Sequence, residues 1–451
     1  MSSIAGGRRL PRIIMIMAAL VLVVAVVITW NLSSPAYDHR VDAIRRKGYP
    51  VTLAELDAAY QRPADAENAA FLYTNAFAKP LFGSNVAETY TASSWLPSRG
   101  KQVDPEDRNE FEALLATNRP AMDLLYSAVD LPSCRFPVDL KQGAFTMLPH
   151  LAKVKSAAGI LSTHALIKAE EGERDEAVRA FRAAWKVAGS LSEEPLFISQ
   201  LVHYSSDAVV CLRLERMLNT TTLSDKELAE LQQSVTQAEK PRSLALGLIG
   251  ERATSLAVFT DPKFQSSIFS GQWGNPTQNQ RLSSQFAIGL LKASGAFSKD
   301  KAFLLDTLSN SIWAAELPYP ERWSQTQALP SAIPSSRFCI FSRILLPALS
   351  KAVTRDAEHS ARIHVAQTAL AVERFRLAHT NDLPGTLDDL APTFLTAVPS
   401  DPFDGSSLRY KKLSKGYVVY SIGADGKDDG GKERASSTSA TGSDITFIVE
   451  R

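Results

Sequence analysis

The chain has 451 residues, 45% of them hydrophobic, which is enough for ordinary packed cores and for two or three domains. Its 49 Lys and Arg against 48 Asp and Glu leave a formal charge of +1, with no long run of one sign, which excludes a dedicated nucleic-acid binder. The cysteines Cys134, Cys211 and Cys339 are odd in number and far apart, so neither a disulfide framework nor a CxxC metal knuckle is expected; they read as small buried hydrophobes.

Ile13 to Trp30 carries no charge. As a helix rising about 1.5 Å per residue it spans about 27 Å, close to the hydrocarbon thickness of a bilayer. Arg8, Arg9 and Arg12 precede it, which holds the N-terminus in the cytoplasm and places the C-terminal bulk across the membrane; Trp30 sits where an interfacial aromatic belongs. Ser34-Pro35-Ala36 loosely resembles a signal-peptidase site, but the run is long for a signal peptide and proline disfavours cleavage there. The expectation is an uncleaved anchor over residues 1–35. No Cys follows the run, which excludes a lipoprotein anchor.

Residues 36–355 read as an irregular helical ectodomain. Thr52 and Glu55 form a capping-box pattern, and helical texture continues over Asp104–Ala128, Leu148–Leu191, Glu194–Leu218 and Leu223–Gln237. Thr260–Ser284 is rich in Ser, Gln, Asn and Gly and reads as a long loop. Pro318, Pro320, Pro330 and Pro334 forbid a continuous helix over Glu316–Arg337. Helix resumes near Phe341 and runs, with an interruption at Pro347, to about Thr380. Within Leu161–Ser190, the residues Gly172, Ala177, Phe181 and Ala184 resemble the second half of a tetratricopeptide unit, without a second copy about 34 residues away. The reading is a generic helical hairpin, of the kind that serves protein partners, although nothing in it identifies one.

Residues 356–451 change texture. A helix with Ile363, Ala366, Leu370 and Phe375 at helical spacing is followed by a turn-rich passage. Strands are then expected at Leu408–Leu413 and Tyr417–Ser421, joined by a turn at 414–416, and at Asp444–Val449. An ordered series of motifs runs through this region: Phe375-Arg376-Leu377-Ala378, Leu383-Pro384-Gly385-Thr386-Leu387 with Asp389-Leu390, Val398-Pro399, Asp401-Pro402-Phe403-Asp404-Gly405, Leu408-Arg409-Tyr410, Tyr420 to Gly426, and Asp444-Ile445. On these residues the C-terminal module resembles the globular domain of the major pseudopilin of type II secretion systems. The resemblance implies a long helix packed on a small antiparallel sheet, and calcium held by the loop before the last strand. By position it implies Asp425 and Asp444 as ligands, the Ile422 carbonyl as a backbone ligand, and Asp428 or Asp429 as a further oxygen. The loop is longer than is usual for that family.

Other readings of the acidic loop fail on its residues. Gly426 to Lys432 spells G-x-x-x-x-G-K, but Glu433 stands where a phosphate loop needs Ser or Thr, and Asp428 and Asp429 would repel phosphate. An EF-hand fails because the twelfth residue from Asp425 is Ser436. The resemblance also stops at the N-terminus: no pseudopilin leader motif or acid marks the apolar run, and residues 31–355 separate it from the module. Histidines 39, 150, 164, 203, 359, 364 and 379 are scattered, and no HExxH or GxSxG is present.

The fold class expected is mainly α: a transmembrane helix, a helical ectodomain, and a C-terminal α+β module. The expected function is a single-pass envelope protein with a structural or interaction role, protein partners and no catalytic residues. A membrane-anchored hydrolase with its site in the helical region is the first alternative, and a subunit of the secretion apparatus is the second. An enzyme should show ionisable groups converging in a deep pocket.

Overall fold

The structure, a computed structural model, describes residues 37–83, 86–262, 265, 278–328, 339–433 and 444–451. The anchor expected at Ile13–Trp30 lies outside the described residues, as do residues 434–443 of the acidic loop. Among those described, no helix is long and apolar enough to cross a membrane. They are mainly helical, with one three-stranded antiparallel sheet near the C-terminus.

After a helix over residues 37–46, α1 (Leu53–Ala59) opens on its capping box: the Glu55 amide donates to Thr52 Oγ1, and the Glu55 carboxylate accepts from the Val51 and Thr52 amides. Helix α2 (Ala69–Phe77) starts at Asn68, whose side chain accepts from the Ala70 amide. The helical stretch expected over 104–128 is two helices, α3 (Pro105–Thr117) and α4 (Arg119–Ser127), broken at Asn118. Pro120 has no amide hydrogen, so it is tolerated in the first turn of a new helix and not inside an old one.

Helices α5 (His150–Glu170) and α6 (Arg174–Gly189) form the predicted hairpin, turning on Gly172 at φ +85°. Ala157, Ala158, Ala177 and Ala184 are fully buried between them, and their small side chains allow close approach. Against this hairpin packs α7 (Phe197–Thr220), followed by α8 (Asp225–Ala238) and α9 (Ser243–Ala257). The close crossings rest on glycine: a Cβ on Gly250 would stand 1.7 Å from the Pro195 carbonyl oxygen.

The loop expected over 260–284 ends earlier, because α10 (Gln278–Ala293) already begins at Gln278. Its apolar residues Leu282, Phe286 and Leu290 recur every four positions, but all three are exposed, so the segment's polar composition masked a real helical period. Helix α11 (Ala296–Ala315) follows, then α12 (Glu321–Ala328), which fits between Pro320 and Pro330. The longest described helix, α13 (Pro347–Ala378), runs unbroken through residue 356. It packs on α7, α8 and α12, and it also backs the sheet.

The sheet has the order β1 (Arg409–Lys412), β2 (Tyr417–Ser421), β3 (Ile445–Val449), with Arg409 opposite Tyr420 and Tyr417 opposite Val449. On the inner face Tyr417 donates to the Ala369 carbonyl of α13. On the outer face Val418, Tyr420 and Ile448 form a small cluster of their own, and Gly431 of the acidic loop lies against Val418 and Tyr420. The far edge of β3 is closed by α7: Asn219 donates to the Ile448 carbonyl at 2.7 Å and accepts from the Glu450 amide at 2.7 Å. A helix side chain thus takes the backbone bonds that would otherwise leave an open edge.

Candidate functional site

The acidic loop is folded against the module. Asp444 is buried, and its carboxylate accepts from the Gly431 amide at 2.7 Å and the Asp429 amide at 3.4 Å. Asp425 and Asp428 are exposed and accept from the amides two residues ahead, Lys427 and Gly430. Burial raises the Asp444 carboxyl above the ordinary carboxylate range. The two amides oppose that, and the charges of Asp428 and Asp429 reinforce it. Burial, with Asp428 beside it, also pushes the Tyr420 hydroxyl up to about 12. Asp428, Asp429 and Asp444 therefore crowd negative charge together, while Asp425 sits on an outer turn. The loop is also tethered at Glu433, which pairs with Arg99 at 2.8 Å. Concentrated carboxylates suit calcium, but among the described residues these aspartates do not place three ligand oxygens within 4.8 Å of one another.

The residue that organises this end of the module is Asp401, which sequence reasoning read only as part of a motif. Its fully buried carboxylate accepts from the Phe403 amide (3.0 Å), Ser421 Oγ (2.9 Å), the Ile422 amide (3.0 Å) and Arg409 Nη1 (2.6 Å). Ile422 thus gives its amide to Asp401.

The histidines are less scattered than their numbering suggests. His203 and Asp207, one turn apart on α7, meet His359 of α13, and all three are buried. Asp207 Oδ2 lies 3.1 Å from His203 Nε2 and 2.7 Å from His359 Nε2. Burial alone would raise the Asp207 carboxyl, but the His203 and His359 rings outweigh it and hold the group below its ordinary value. Beside them, Tyr204 stacks on His359 and donates to Asp356, which also accepts from Tyr319 and pairs with Arg322. Their spacing carried one readable signal, the four-residue step from His203 to Asp207; nothing local pointed to His359.

A third feature is an open cleft of about 910 Å³ on the helical body. Its walls come from the segments around Tyr49, Tyr60 and Cys134, from the end of α6, and from the α8–α9 connection. The lining includes Lys47, Arg62 and Arg135, Arg182 and Lys186 of α6, and Lys240 and Arg242 of the α8–α9 connection. Glu193 is the single acid in the lining. Lys47, Lys186 and Lys240 have no ion pair among the described residues, and Arg135 lies over the Tyr60 ring at 4.3 Å. Arg62, Arg182 and Arg242 lean on Asp65, Asp130 and Glu316, which lie outside the lining. The cleft's thiol, Cys134, is pushed far up by burial and by the charge of Glu194, so it is not a ready nucleophile. Glu194 is itself buried, held by His150 Nε2 at 3.0 Å and by Ser199.

Compared with protein-family models, curated proteins and solved structures, the chain matches none.

Proposed function

We propose that the protein is a single-pass envelope protein with a non-enzymatic interaction role, whose helical body offers the cleft to an anionic ligand on the extracytoplasmic side. The observation that carries this reading is the charge asymmetry of the cleft: of its seven Lys or Arg, four (Lys47, Arg135, Lys186 and Lys240) have no ion pair among the described residues, against Glu193 as the one acid of the lining, in a chain whose net charge is only +1. A concave surface of one sign over low-dielectric walls focuses the field and raises the local concentration of a counter-charged partner. The binding class is one bearing several phosphate or carboxylate groups, because Arg forks and Lys ammonium groups pair with both.

Calorimetric titration of the purified chain with inorganic tripolyphosphate tests it. The expected result is binding at low salt that weakens at high salt and is lost in the double variant Arg135→Glu, Lys186→Glu. Absence of binding at low salt, or binding indifferent to the charge reversal, refutes the reading.

For the C-terminal module, the pseudopilin resemblance supports a structural role with calcium as a stabilising ion. The favouring observation is Asp444, whose carboxyl is raised by burial and by Asp428 and Asp429, a strain that a bound cation relieves.

A further inference from the structure

We infer that His203, Asp207 and His359 form a binding site for one divalent transition-metal ion, zinc by its donor set, which joins the helical body to the C-terminal module.

Geometry is the first support. The ligand-capable atoms of the three side chains all lie within 4.8 Å of one another, and among the described residues no other group of His, Cys, Asp or Glu does this. Two imidazole nitrogens and one carboxylate are the borderline donors that zinc takes at about 2.0–2.2 Å. Calcium, which collects six to eight oxygens, is a poor match for the same atoms.

Unmet hydrogen bonding is the second, independent support. His203 is fully buried, yet neither its Nδ1 nor its Nε2 has a hydrogen-bond partner, and Asp207 Oδ1 also has none. The Nε2 atom lies 3.1 Å from Asp207 Oδ2, close enough for charge pairing but not aligned for a hydrogen bond. Buried polar atoms without partners are rare, and His203 Nε2 and Asp207 Oδ1, on two neighbouring side chains of the triad, call for a ligand. A cation between the two Nε2 atoms and the carboxylate uses their lone pairs where a proton satisfies only one contact at a time.

The surroundings fit the same role. Tyr204 stacks on the His359 ring at 4.7 Å and is itself fixed by bonds to Asp356 (2.9 Å) and Ser243 (2.9 Å), so the ring is oriented by neighbours as metal ligands commonly are. The fourth corner of a tetrahedron is not supplied by the triad. Cys211, one turn beyond Asp207 on the same helix, is buried, and its thiol feels the Asp207 charge. The site is closed from solvent, so the ion belongs to the folded core and enters as the chain folds.

The test uses the full chain purified without chelator. Elemental analysis is expected to give about one zinc per chain, and cobalt(II) added to metal-stripped protein is expected to give the visible absorption of a low-coordinate nitrogen-ligated site. Asp207→Ala and His359→Ala should each weaken zinc by at least about tenfold, since even disturbing outer-shell partners costs that much. His364→Ala is the control: His364 makes a comparable pair with Glu239 at 2.9 Å on the same helix, but it lies outside the triad and should leave metal content unchanged. Should the triad variants fail to fold, the cobalt spectrum and the thermal shift of the unmutated chain on zinc addition still decide. A chain that purifies without transition metal and shows neither cobalt absorption nor a zinc-dependent thermal shift overturns the inference. So does equal loss of metal in the His364 control and the triad variants.

Discussion

Replacing Asp401 with Ala tests whether the motif from Asp401 to Gly405 acts through one buried carboxylate. The side chain is fully buried and accepts two backbone amides, one hydroxyl and one guanidinium. Truncation leaves the Phe403 and Ile422 amides and Ser421 Oγ without that acceptor, at about 1–3 kcal/mol for each buried group that finds no substitute. Arg409 keeps Asp404 as a partner, so its charge is not stranded. Because the groups share one site, the costs do not add fully, and about 3–5 kcal/mol is expected, the range for breaking a buried ion pair by removing one partner. Asp401→Asn preserves shape and one oxygen but turns an NH₂ group toward two donors, so it should fall between Ala and the native residue. Hydrogen exchange localises the effect: the amides of β2, which reach Asp401 through Ser421 and Ile422, should lose about two to four decades of protection. Protection in β2 that changes by less than about tenfold would show that the motif does not work through this carboxylate.

Three further outcomes are expected. His164 is held near 4, below its ordinary 6.5, first by burial and against the pull of Glu176; the unfolded chain therefore takes up a proton that the folded one refuses, and stability present above pH 6.5 falls by up to about 3 kcal/mol as pH drops towards 4, a slope that urea titrations should find flattened in His164→Gln. Gly416 turns the β1–β2 hairpin at φ +82°, where a Cβ would stand 1.8 Å from the Val449 carbonyl oxygen, so Gly416→Ala should cost at least the ~1–2 kcal/mol of the left-handed conformation, and an unchanged thermal midpoint would contradict the register. Calcium at about a hundred times its dissociation constant should stabilise the full chain by about 2.7 kcal/mol, and Asp444→Ala or Asp425→Ala should abolish the gain; no calcium-dependent shift in the unmutated chain ends the calcium proposal.

How much of this was legible depended on the range of the interaction. The capping box at Thr52 and Glu55, the hairpin turning on Gly172, and the three strands lie in continuous stretches where period and turn chemistry act on neighbours, and each appears within a residue or two of its expected place. The start of α10 was hidden because an exposed apolar stripe in a Ser- and Gln-rich segment imitates a loop. Asp401 was visible as a motif residue but not as an acceptor for Ser421 and Ile422, since that bond pattern exists only after β2 has folded back onto it. The cationic cleft draws its seven charges from segments between Lys47 and Arg242, so no window of sequence looks basic.

The histidine cluster is the sharpest case, because its parts carry opposite signals. His203 and Asp207 share a helical face and could be paired on spacing alone, whereas His359 lies 152 residues from Asp207 and is surrounded by an unremarkable helical repeat. Only the packing of α13 across α7 joins them, and that same packing lets Asn219 close the edge of β3 and Arg99 bridge Glu215 to Glu433. Helix α7 therefore meets the C-terminal module through three polar devices spread along its length: His203 and Asp207 near its start, Glu215 and Asn219 near its end. Apolar burial alone lets two helices slide by a turn at little cost, since the surfaces are non-directional. Directional contacts at both ends of α7 fix one register, and disrupting either end should loosen the module from the body before it unfolds the body itself.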